Sequence, residues 1–320
     1  MRLVFLGTPA FAVPTLEKLV EAGREVALVI TQPDRPRGRG RHDAPPPVKE
    51  AAGRLGLPVY QPERVRRPEA VERLRALAPD AMVVVGYGQI IPQSVIDIPP
   101  MGIVNVHASL LPRYRGAGPV QWAIIHGEKR TGVTTMRIDA GLDTGDMLLE
   151  AETEIGPEET AVELGARLAV MGASLLVETL AGLEAGRIVP RKQDPAQATY
   201  APLLKKEDGL IDWSLPAVAI HNRVRGMQPW PGAYTTFRGE LLHVWRTFRG
   251  QATKPPNRGE AGATPRNGAV LSLRPLTIAC GEGSLQLGEV QLEGRRRMPA
   301  ADFVNGHRLT ENDILGEPTP

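Results

Sequence analysis

Residues 80–86, DAMVVVG, restrict the possible folds most, because they form a continuous apolar run that ends in glycine. Such a run is typical of a strand buried on both faces, as in a parallel sheet covered by helices. The start of the chain agrees with this interpretation. There the strand-like RLVFLG is followed by a helical pattern from Thr15 to Glu21 and then by VALVIT, which together predict a βαβ unit. The first part of the chain therefore predicts an α/β fold.

The remaining patterns divide the chain into two predicted domains. Further helices are expected near Val48 to Leu55, over PEAVERLRALA and PVQWAIIHG, and from Glu159 to Ala181, with strands at GIVNVHAS and GVTTMRID. Residues 188–207 are rich in proline and polar side chains and are interpreted as a linker. After them come a helix, PAVAIHNRVRGMQ, and the strand-like pieces AYTTF, LLHVWRTF, GAVLSL, LTIAC and SLQLGEV, which predict a small antiparallel barrel. The expected domains are residues 1–187 and 208–320.

Composition excludes several classes of protein. The 320 residues carry a formal net charge of +2 and a single cysteine, Cys280, so neither an intrachain disulfide framework nor a cysteine-based zinc site is expected. No secretory leader pattern and no long uninterrupted apolar stretch are apparent, which favours a cytoplasmic protein that does not enter membranes. Residues 221–308 hold thirteen Lys and Arg against six Asp and Glu, and this local excess leaves a polyanionic partner and a merely solvated basic face equally open.

Two common nucleotide-binding patterns do not occur in the sequence. The first strand is followed by GTPAF, which lacks the G-x-G-x-x-G needed for a pyrophosphate to approach the start of a helix. No G-x-x-x-x-G-K-[ST] loop is present either. The sequence therefore disfavours dinucleotide binding and phosphoryl transfer from a nucleotide.

An amide and an imidazole lie two residues apart at the end of a predicted strand. Because side chains alternate along a strand, Asn105 and His107 point to the same face, at the edge where α/β sheets bind ligands. An amide N–H can stabilise an oxyanion and an imidazole can move a proton, so the pair suits acyl transfer to an amine. A turn-capping Asn and a His bonded to backbone explain the same pattern.

An acidic loop, residues 139–146 (DAGLDTGD), follows the strand GVTTMRID. A carboxylate from this loop near His107 would orient the imidazole, although a set of Asx turns or a cation loop fits the same residues. Ser109 suggests a Ser-His-Asp hydrolase, but the G-x-S-x-G elbow is missing.

Five segments together resemble the methionyl-tRNA formyltransferase family: GTPAFAVPTL, TQPDRPRGRG, NVHASLLPRYRGAGPVQWAI, GLDTGDM and HNRVRGMQPWPGAYT. The resemblance extends over almost the whole chain. It implies a Rossmann-like doubly wound, mostly parallel sheet followed by a small OB-like β-barrel. It further implies 10-formyltetrahydrofolate as co-substrate, initiator methionyl-tRNA as acceptor, no metal and a monomeric protein.

The resemblance also assigns roles to individual residues. The catalytic residues would be Asn105, His107 and Asp143, and the tRNA would contact Arg35, Arg37, Arg39, Arg41, Lys205 and Lys206. The folate would be bound by Ser109, Leu110, Leu111 and Pro112 and by the loop Gly86 to Ile91, including Gly86, Tyr87, Gly88 and Ile90. This chain departs from the family's usual residues at Gly86, Gln89, Tyr114 and Gly118.

The charge of the segment Asp34 to Asp43, and its Gly and Pro content, predict an irregular basic loop. A solvated basic loop fits this charge, whereas the resemblance implies that the loop enters the acceptor stem of the tRNA. Two other functions remain open at the level of sequence. One is a formyltransferase that acts on a nucleotide or an amino sugar. The other is a basic RNA-binding protein whose first domain only senses folate.

Overall fold

The computed structural model describes residues 1–37, 42–249 and 265–317. Contacts between Cα atoms divide the chain into two compact units. Unit 1 comprises Met1–Pro119, Arg130–Glu154 and Gly165–Pro202, and unit 2 comprises Val120–Lys129, Ile155–Leu164 and Leu203–Pro320. Two segments that lie between parts of unit 1 in the sequence therefore group with the carboxyl-terminal part. The domain boundaries at residues 187 and 207 stay a prediction.

The first part of the chain alternates strands and helices, as the apolar runs predict. The strands are β1 (Arg2–Gly7), β2 (Glu25–Ile30), β3 (Arg35–Arg37), β4 (His42–Ala44), β5 (Val59–Tyr60), β6 (Ala81–Val85), β7 (Ile103–His107), β8 (Arg130–Arg137) and β9 (Met147–Glu154). The helices are α1 (Val13–Glu21), α2 (Pro47–Arg54), α3 (Pro68–Leu77), α4 (Gln93–Ile96), α5 (Pro119–Ile125) and α6 (Ala161–Glu184).

Unit 1 is built on a seven-stranded sheet in the order β5-β2-β1-β6-β7-β8-β9. Strands β5, β2, β1, β6 and β7 are parallel, whereas β8 and β9 are antiparallel to their neighbours. All five residues of β6 are buried, which is why this strand reads as a continuous apolar run. The prediction of a mostly parallel α/β sheet is confirmed. The direction of strand order changes between β1 and β6, and such a switch point opens a crevice at the carboxyl ends of the strands.

One further strand and one hairpin of unit 1 differ from expectation. Strand β9 was not predicted, because only its first two residues are buried and the rest of its sequence, MLLEAETE, alternates partly buried with exposed residues at the edge of the sheet. The prediction that the basic loop is irregular throughout is wrong, since β3 and β4 pair as an antiparallel hairpin with Arg35 opposite Ala44. The start of this hairpin is anchored by Asp34, whose carboxylate accepts hydrogen bonds from Lys49 and Gln61, both at 2.6 Å. Sequence patterns do not show such distant anchors.

Unit 2 contains an antiparallel sheet in the order β10-β11-β14-β13-β12, with β15 paired to β14. Its strands are β10 (Ala233–Phe237), β11 (Glu240–Arg249), β12 (Val270–Leu273), β13 (Leu276–Ala279), β14 (Ser284–Leu292) and β15 (Met298–Pro299), and its helices include α7 (Ala217–Gly226) and α8 (Ala300–His307). Alternate residues of β10 and β11, such as Phe237, Leu242 and Val244, point into a core shared with Phe303 of α8. An antiparallel second domain was predicted, and the fold confirms it.

Among the described residues, α6 is long and apolar enough to cross a membrane by length and composition alone. Half of its most apolar stretch is buried inside the protein. The core helix of a water-soluble protein meets the same criterion.

Candidate active site

The amide and imidazole predicted to share a face do so at the end of β7. Asn105 is 9% exposed and His107 is 6% exposed. The His107 Nε2 atom lies 2.9 Å from the backbone oxygen of Tyr114. A carbonyl oxygen only accepts hydrogen bonds, so Nε2 carries a hydrogen, and Nδ1 is the ring atom at which a proton can come and go.

The acidic loop brings one carboxylate to that second ring nitrogen. The Asp143 Oδ2 atom lies 3.7 Å from the His107 Nδ1 atom and accepts a hydrogen bond of 2.8 Å from the backbone N–H of Gly116. Asp143 has a φ angle of +51°, in the left-handed region that non-glycine residues rarely adopt. Strain of this kind persists where surrounding contacts impose it, and it is frequent in functional sites.

The path of this loop could not be foreseen from strand ends. Because β8 is antiparallel to β7, the loop after β8 starts beside Val104, near the beginning of β7. It then folds back, so that Asp143 reaches the opposite end of the strand at His107. The structure thus places Asn105, His107 and Asp143 together.

Two polar residues that sequence reasoning missed support the loop. Gln193 is buried, and its Nε2 atom donates 2.8 Å hydrogen bonds to the backbone oxygens of Asp143 and Gly145. Its Oε1 atom accepts hydrogen bonds from buried Arg115, 3.0 Å from Nε and 2.7 Å from Nη2. Gln193 lies in the polar, proline-containing segment interpreted as a linker, where no periodicity marks a buried amide.

Residues 109–112 form a tight turn shortly after β7. The Ser109 hydroxyl donates a 2.6 Å hydrogen bond to the backbone oxygen of Arg113, and the Thr134 hydroxyl donates one of 2.7 Å to the Ser109 oxygen. The Leu111 N–H in turn donates to the Thr134 hydroxyl over 3.1 Å, and the Leu111–Pro112 bond is cis. The Ser109 hydroxyl is therefore occupied in holding the turn, which disfavours its use as a hydrolase nucleophile. Leu110 packs beside Gly132, where an added Cβ would lie 2.5 Å from the Leu110 side chain.

The loop after β6 contains two glycines with positive φ angles, and side chains from elsewhere in unit 1 hold its backbone in place. Gly86 and Gly88 have φ angles of +57° and +83°, conformations that favour glycine. The Tyr87 backbone oxygen accepts hydrogen bonds from the Thr8 hydroxyl at 2.9 Å and from Gln32 Nε2 at 3.1 Å. Burial raises the pKa of the Tyr87 phenol, and its hydroxyl has no hydrogen-bond partner among the described residues.

The end of this loop combines an anchored side chain with an exposed one. Gln89, a departure from the family pattern, accepts a 2.8 Å hydrogen bond from the Val65 N–H and donates one of 3.1 Å to the Glu63 oxygen, which ties the loop to the preceding segment. Ile90 is 92% exposed, whereas Ile91 is buried. The loop therefore offers Ile90 to a ligand or to solvent while its base stays fixed.

A cavity of about 480 Å³ opens at the switch point between β1 and β6. Part of its wall is the glycine loop, Gly86 to Gly88, and part is the base of the basic hairpin, including Arg35 and Pro36. The cavity also contacts Thr8 and Gln32, the two residues that support the glycine loop. The predicted folate loop and the predicted RNA hairpin therefore share one crevice in unit 1.

The other residues predicted to bind RNA are distributed over both units. Arg35 is exposed at the hairpin, and Arg37 is the last residue of β3. Arg39 and Arg41 lie outside the described residues. In unit 2, Lys205 and Lys206 are both exposed. Over residues 1–37, 42–249 and 265–317, no group of three or more His, Cys, Asp or Glu side chains is arranged to bind a metal ion.

Comparison with known proteins gives the class first. Residues 1–180 match the family model for formyl transferases, and residues 203–308 match the model for the formyl transferase C-terminal domain. The fold is therefore that of a formyl transferase. The chain is 71% identical to the methionyl-tRNA formyltransferase of Solibacter usitatus and 53% identical to that of Citrifermentans bemidjiense, each over 317 residues that cover 99% of this chain and 99% and 97% of the relatives. The chain belongs to the methionyl-tRNA formyltransferase family, as the five sequence segments predicted.

Solved structures share the fold at much lower identity. HypX from Aquifex aeolicus in complex with tetrahydrofolic acid has a TM-score of 0.63 and 17% identity, over 95% of this chain and 47% of HypX. The sugar 3N-formyl transferase WlaRD has a TM-score of 0.64 and 15% identity, over 92% of this chain and 99% of WlaRD. At these identities the comparison establishes the architecture alone.

Proposed function

We propose that the chain transfers the formyl group of 10-formyltetrahydrofolate to the α-amino group of initiator methionyl-tRNA. The observation that carries this proposal is the meeting of Asn105, His107 and Asp143 at the end of β7, in a chain of the methionyl-tRNA formyltransferase family. An amide donor, an imidazole and a carboxylate supply the groups that formyl transfer to an amine requires.

The crevice of unit 1 has the properties that a folate requires. The glycine loop presents backbone groups beside a cavity large enough for a flat ring system, and Ile90 adds an exposed apolar side chain. The turn of residues 109–112 lies next to His107, where it would flank the reacting end of the bound folate. The amine nitrogen bonds to the formyl carbon, the bond from that carbon to N10 of the folate breaks, and N10 leaves with the proton that the amine releases, so that tetrahydrofolate is the second product. The residues of the chain would stabilise the oxyanion and carry this proton.

Each of the three polar residues has a distinct task in this proposal. Asn105 makes no side-chain hydrogen bond to the described residues, so its amide is free to donate to the oxyanion that forms at the formyl carbon. A protonated His107 would be a second donor. Asp143 faces Nδ1 of His107, so either of these two residues, directly or through a water, is placed to accept the proton that the amine releases.

Incubation with 10-formyltetrahydrofolate and charged initiator tRNA, followed by mass measurement of the aminoacyl end, tests the proposal. A mass gain of one formyl group is expected. Parallel reactions with glycinamide ribonucleotide and with a nucleotide-linked amino sugar test the other acceptors. Product with these acceptors and none with the tRNA would contradict the proposed acceptor, and no product at all would contradict catalysis.

Substitution of the polar residues tests their roles. His107→Ala and Asp143→Ala should each lower kcat by about 100-fold or more, because proton transfer contributes at least that much, while the affinity for tRNA should change little. A fully active His107→Ala variant would contradict the mechanism.

The arginines of the segment Asp34 to Asp43 are proposed to bind the acceptor stem of the tRNA. Arg39→Ala should raise the KM for tRNA, because the loss of one charge-assisted contact would weaken binding of the tRNA by about 1–3 kcal/mol. Unchanged kinetics with tRNA would contradict this role. A cytoplasmic, monomeric protein remains part of the proposal, and size-exclusion chromatography with light scattering tests the oligomeric state.

A further inference from the structure

Unit 2 exposes a tryptophan that has no part in the site of unit 1. Trp230 is 53% exposed and lies in the segment Gln228–Gly232, Gln-Pro-Trp-Pro-Gly, between α7 and β10. Tryptophan is a large apolar residue, and when a protein presents one to solvent the ring is often used for recognition. The ring therefore requires an explanation that the fold of unit 2 alone does not give.

The loop that carries Trp230 is fixed at both ends. The Gln228 Nε2 atom donates a 2.7 Å hydrogen bond to the backbone oxygen of Trp245, and the Gly232 N–H donates one of 3.0 Å to the Met227 oxygen. Pro229 and Pro231, on either side of the tryptophan, restrict the backbone further because their rings fix φ. A loop whose backbone is held in this way loses little conformational entropy when it binds a ligand.

An aromatic layer lies behind the loop on the outer face of β10 and β11. The rings of His243 and Trp245 stack with centroids 5.5 Å apart, and Tyr234 meets His243 edge-on at 5.9 Å. A Cβ atom on Gly232 would lie 3.2 Å from the Trp245 ring, and one on Gly209 would lie 2.3 Å from the Gly232 oxygen. Glycine at these two positions lets the loop and the turn that precedes it pack closely against the rings.

Positive charge surrounds this layer. Lys206 begins the turn Lys206–Gly209, whose last residue packs against the Gly232 oxygen and the Tyr234 ring, so Lys206 belongs to an element in contact with the aromatic layer. Burial lowers the pKa of His243, and the charge of Lys206 acts in the same direction. On the neighbouring strand, Gln291 accepts a 2.9 Å hydrogen bond from the Trp245 indole and donates one of 2.9 Å to the Arg295 oxygen.

The positively charged side chains near the aromatic layer differ in whether they have a partner. Arg297 lies 5.2 Å over the Trp245 ring and pairs with Glu289. The exposed side chains of Lys206, Arg295 and Arg296, by contrast, form no ion pair and no hydrogen bond within the part of the chain that the structure describes. We call Trp230, Lys206, Arg295 and Arg296, with the rings of Tyr234, His243 and Trp245 behind them, the Trp230 surface.

We propose that the Trp230 surface binds an unpaired nucleotide of the RNA substrate, whose base stacks on the Trp230 ring while the flanking phosphates contact Lys206, Arg295 and Arg296. A flat exposed ring beside unpaired cations matches the two parts of a nucleotide, a π-face and a phosphate. An apolar protein partner would use the ring but would leave the three cations without a counterpart. The proposal rests on the proposed function, because it assigns part of the binding of the same RNA.

Fluorescence titration of the full chain with an uncharged initiator tRNA transcript, in the absence of folate, tests the stacking contact. Stacking should quench tryptophan emission, and Trp230→Phe should remove this change. Because the Trp230 variants lack the reporting ring, Kd is measured for all proteins by filter binding of the labelled transcript, and Trp230→Phe should raise it by no more than about threefold. Trp230→Ala should raise Kd about tenfold, equivalent to about 1.4 kcal/mol. Val218→Ala, which truncates another half-exposed apolar residue of unit 2, should bind as the wild type does. An unchanged Kd for Trp230→Ala would overturn the proposal and favour a protein ligand for this surface.

Salt dependence separates the stacking contact from the phosphate contacts. Arg296→Gln should reduce the slope of log Kd against log salt concentration by about one, because one phosphate contact is lost. Trp230→Ala should leave that slope unchanged, since stacking releases no counterions. A reduced slope for Trp230→Ala, or an unchanged slope for both Arg295→Gln and Arg296→Gln, would overturn the assignment. Because these titrations require no turnover, failure of the wild type to formylate tRNA would contradict the proposed function and not this surface.

Discussion

Asn105 has a side chain that the fold leaves without a hydrogen bond. A polar group this close to full burial normally has a hydrogen-bond partner, and the amide of Asn105 has none within the described residues. The neighbouring His107 is satisfied by the Tyr114 oxygen, so it is held in one orientation and one tautomer. The free amide and the fixed imidazole together point to a site that becomes complete only when a ligand is bound.

The loss of the Asn105 amide should therefore affect turnover more than binding. We expect Asn105→Ala to lower kcat by about 100- to 1,000-fold, which is the usual effect of removing one oxyanion donor, with little change in the affinity for tRNA. Steady-state kinetics together with tRNA titration measure both effects. The control is Gln93→Ala, which removes an exposed amide bonded to Asp97 and should behave as the wild type. Equal losses in kcat for the two variants would contradict a catalytic role of Asn105.

Gln193 acts on the site through the backbone of the acidic loop. Its removal would leave Arg115 without its two side-chain hydrogen bonds and would free the oxygens of Asp143 and Gly145. We expect Gln193→Ala to reduce the free energy of unfolding by about 2–4 kcal/mol and to lower kcat, because unsatisfied buried polar groups are costly and Asp143 would lose its support. Urea unfolding and kinetics measure the two effects. Gln197→Ala, at an exposed amide four residues further on, should change neither quantity, and a wild-type kcat for Gln193→Ala would contradict the positioning role.

At the scale of elements, the short turn after β7 places the Gly116 N–H on the Asp143 carboxylate. Gly116 has a φ angle of +117°, and a Cβ there would lie 2.7 Å from the backbone oxygen of Ala201. Both the backbone conformation and the close approach therefore require glycine. The turn therefore helps to position the Asp143 carboxylate, in addition to connecting β7 to the next helix.

Two glycine-to-alanine substitutions distinguish a required glycine from a dispensable one. We expect Gly116→Ala to lower the free energy of unfolding by about 2 kcal/mol or more and to impair turnover, because the added Cβ meets backbone that cannot move aside. Gly165→Ala, inside α6 where nothing lies within 4 Å of the new Cβ, should raise the free energy of unfolding by up to about 1 kcal/mol through helix propensity. Thermal unfolding of both variants should give shifts of opposite sign, and shifts of the same sign would contradict the argument.

Sequence patterns predicted some elements better than others. Strand β6 and helix α6 follow directly from their apolar runs, because burial is encoded in each residue. The antiparallel direction of β8 and the pairing of β3 with β4 do not, because direction and pairing depend on contacts with distant residues such as Lys49 and Gln61. The proximity of Asp143 to His107 depends on how the loop after β8 folds back along β7, so local pattern alone could not predict it.

At the scale of the whole molecule, a buried histidine of unit 2 links folding to pH. The His221 Nδ1 atom lies 2.9 Å from the Thr247 hydroxyl and Nε2 lies 3.2 Å from the Pro157 oxygen. Burial lowers the pKa of His221, and Arg225 and Arg249 act in the same direction, whereas the bond to Pro157 and the charge of Glu158 oppose the shift. The folded chain therefore keeps this imidazole neutral at a pH where the unfolded chain is already protonated.

This difference predicts the direction of the pH effect. Between about pH 6.5 and the lower folded-state pKa the unfolded chain binds more protons, so stability should fall as pH falls, with a slope of up to about 1.4 kcal/mol per pH unit for one site. We expect the urea midpoint of the wild type to decrease from pH 7.5 to pH 5.5 by more than that of His221→Gln. Equal decreases in the two proteins would show that other groups cause the pH dependence.

The sequence by itself determined the class of fold, the antiparallel second domain and the family, because apolar periodicity and contiguous motifs are local properties of the chain. It also marked Asn105 and His107 as one pair, since two residues on a strand share a face whatever surrounds them. Only the tertiary structure decided that Asp143 reaches His107, that Gln193 and Arg115 support it, and that Trp230 stands exposed above an aromatic layer. Each of these depends on contacts between residues far apart in the chain, and the energy of such contacts exists only once the chain has folded.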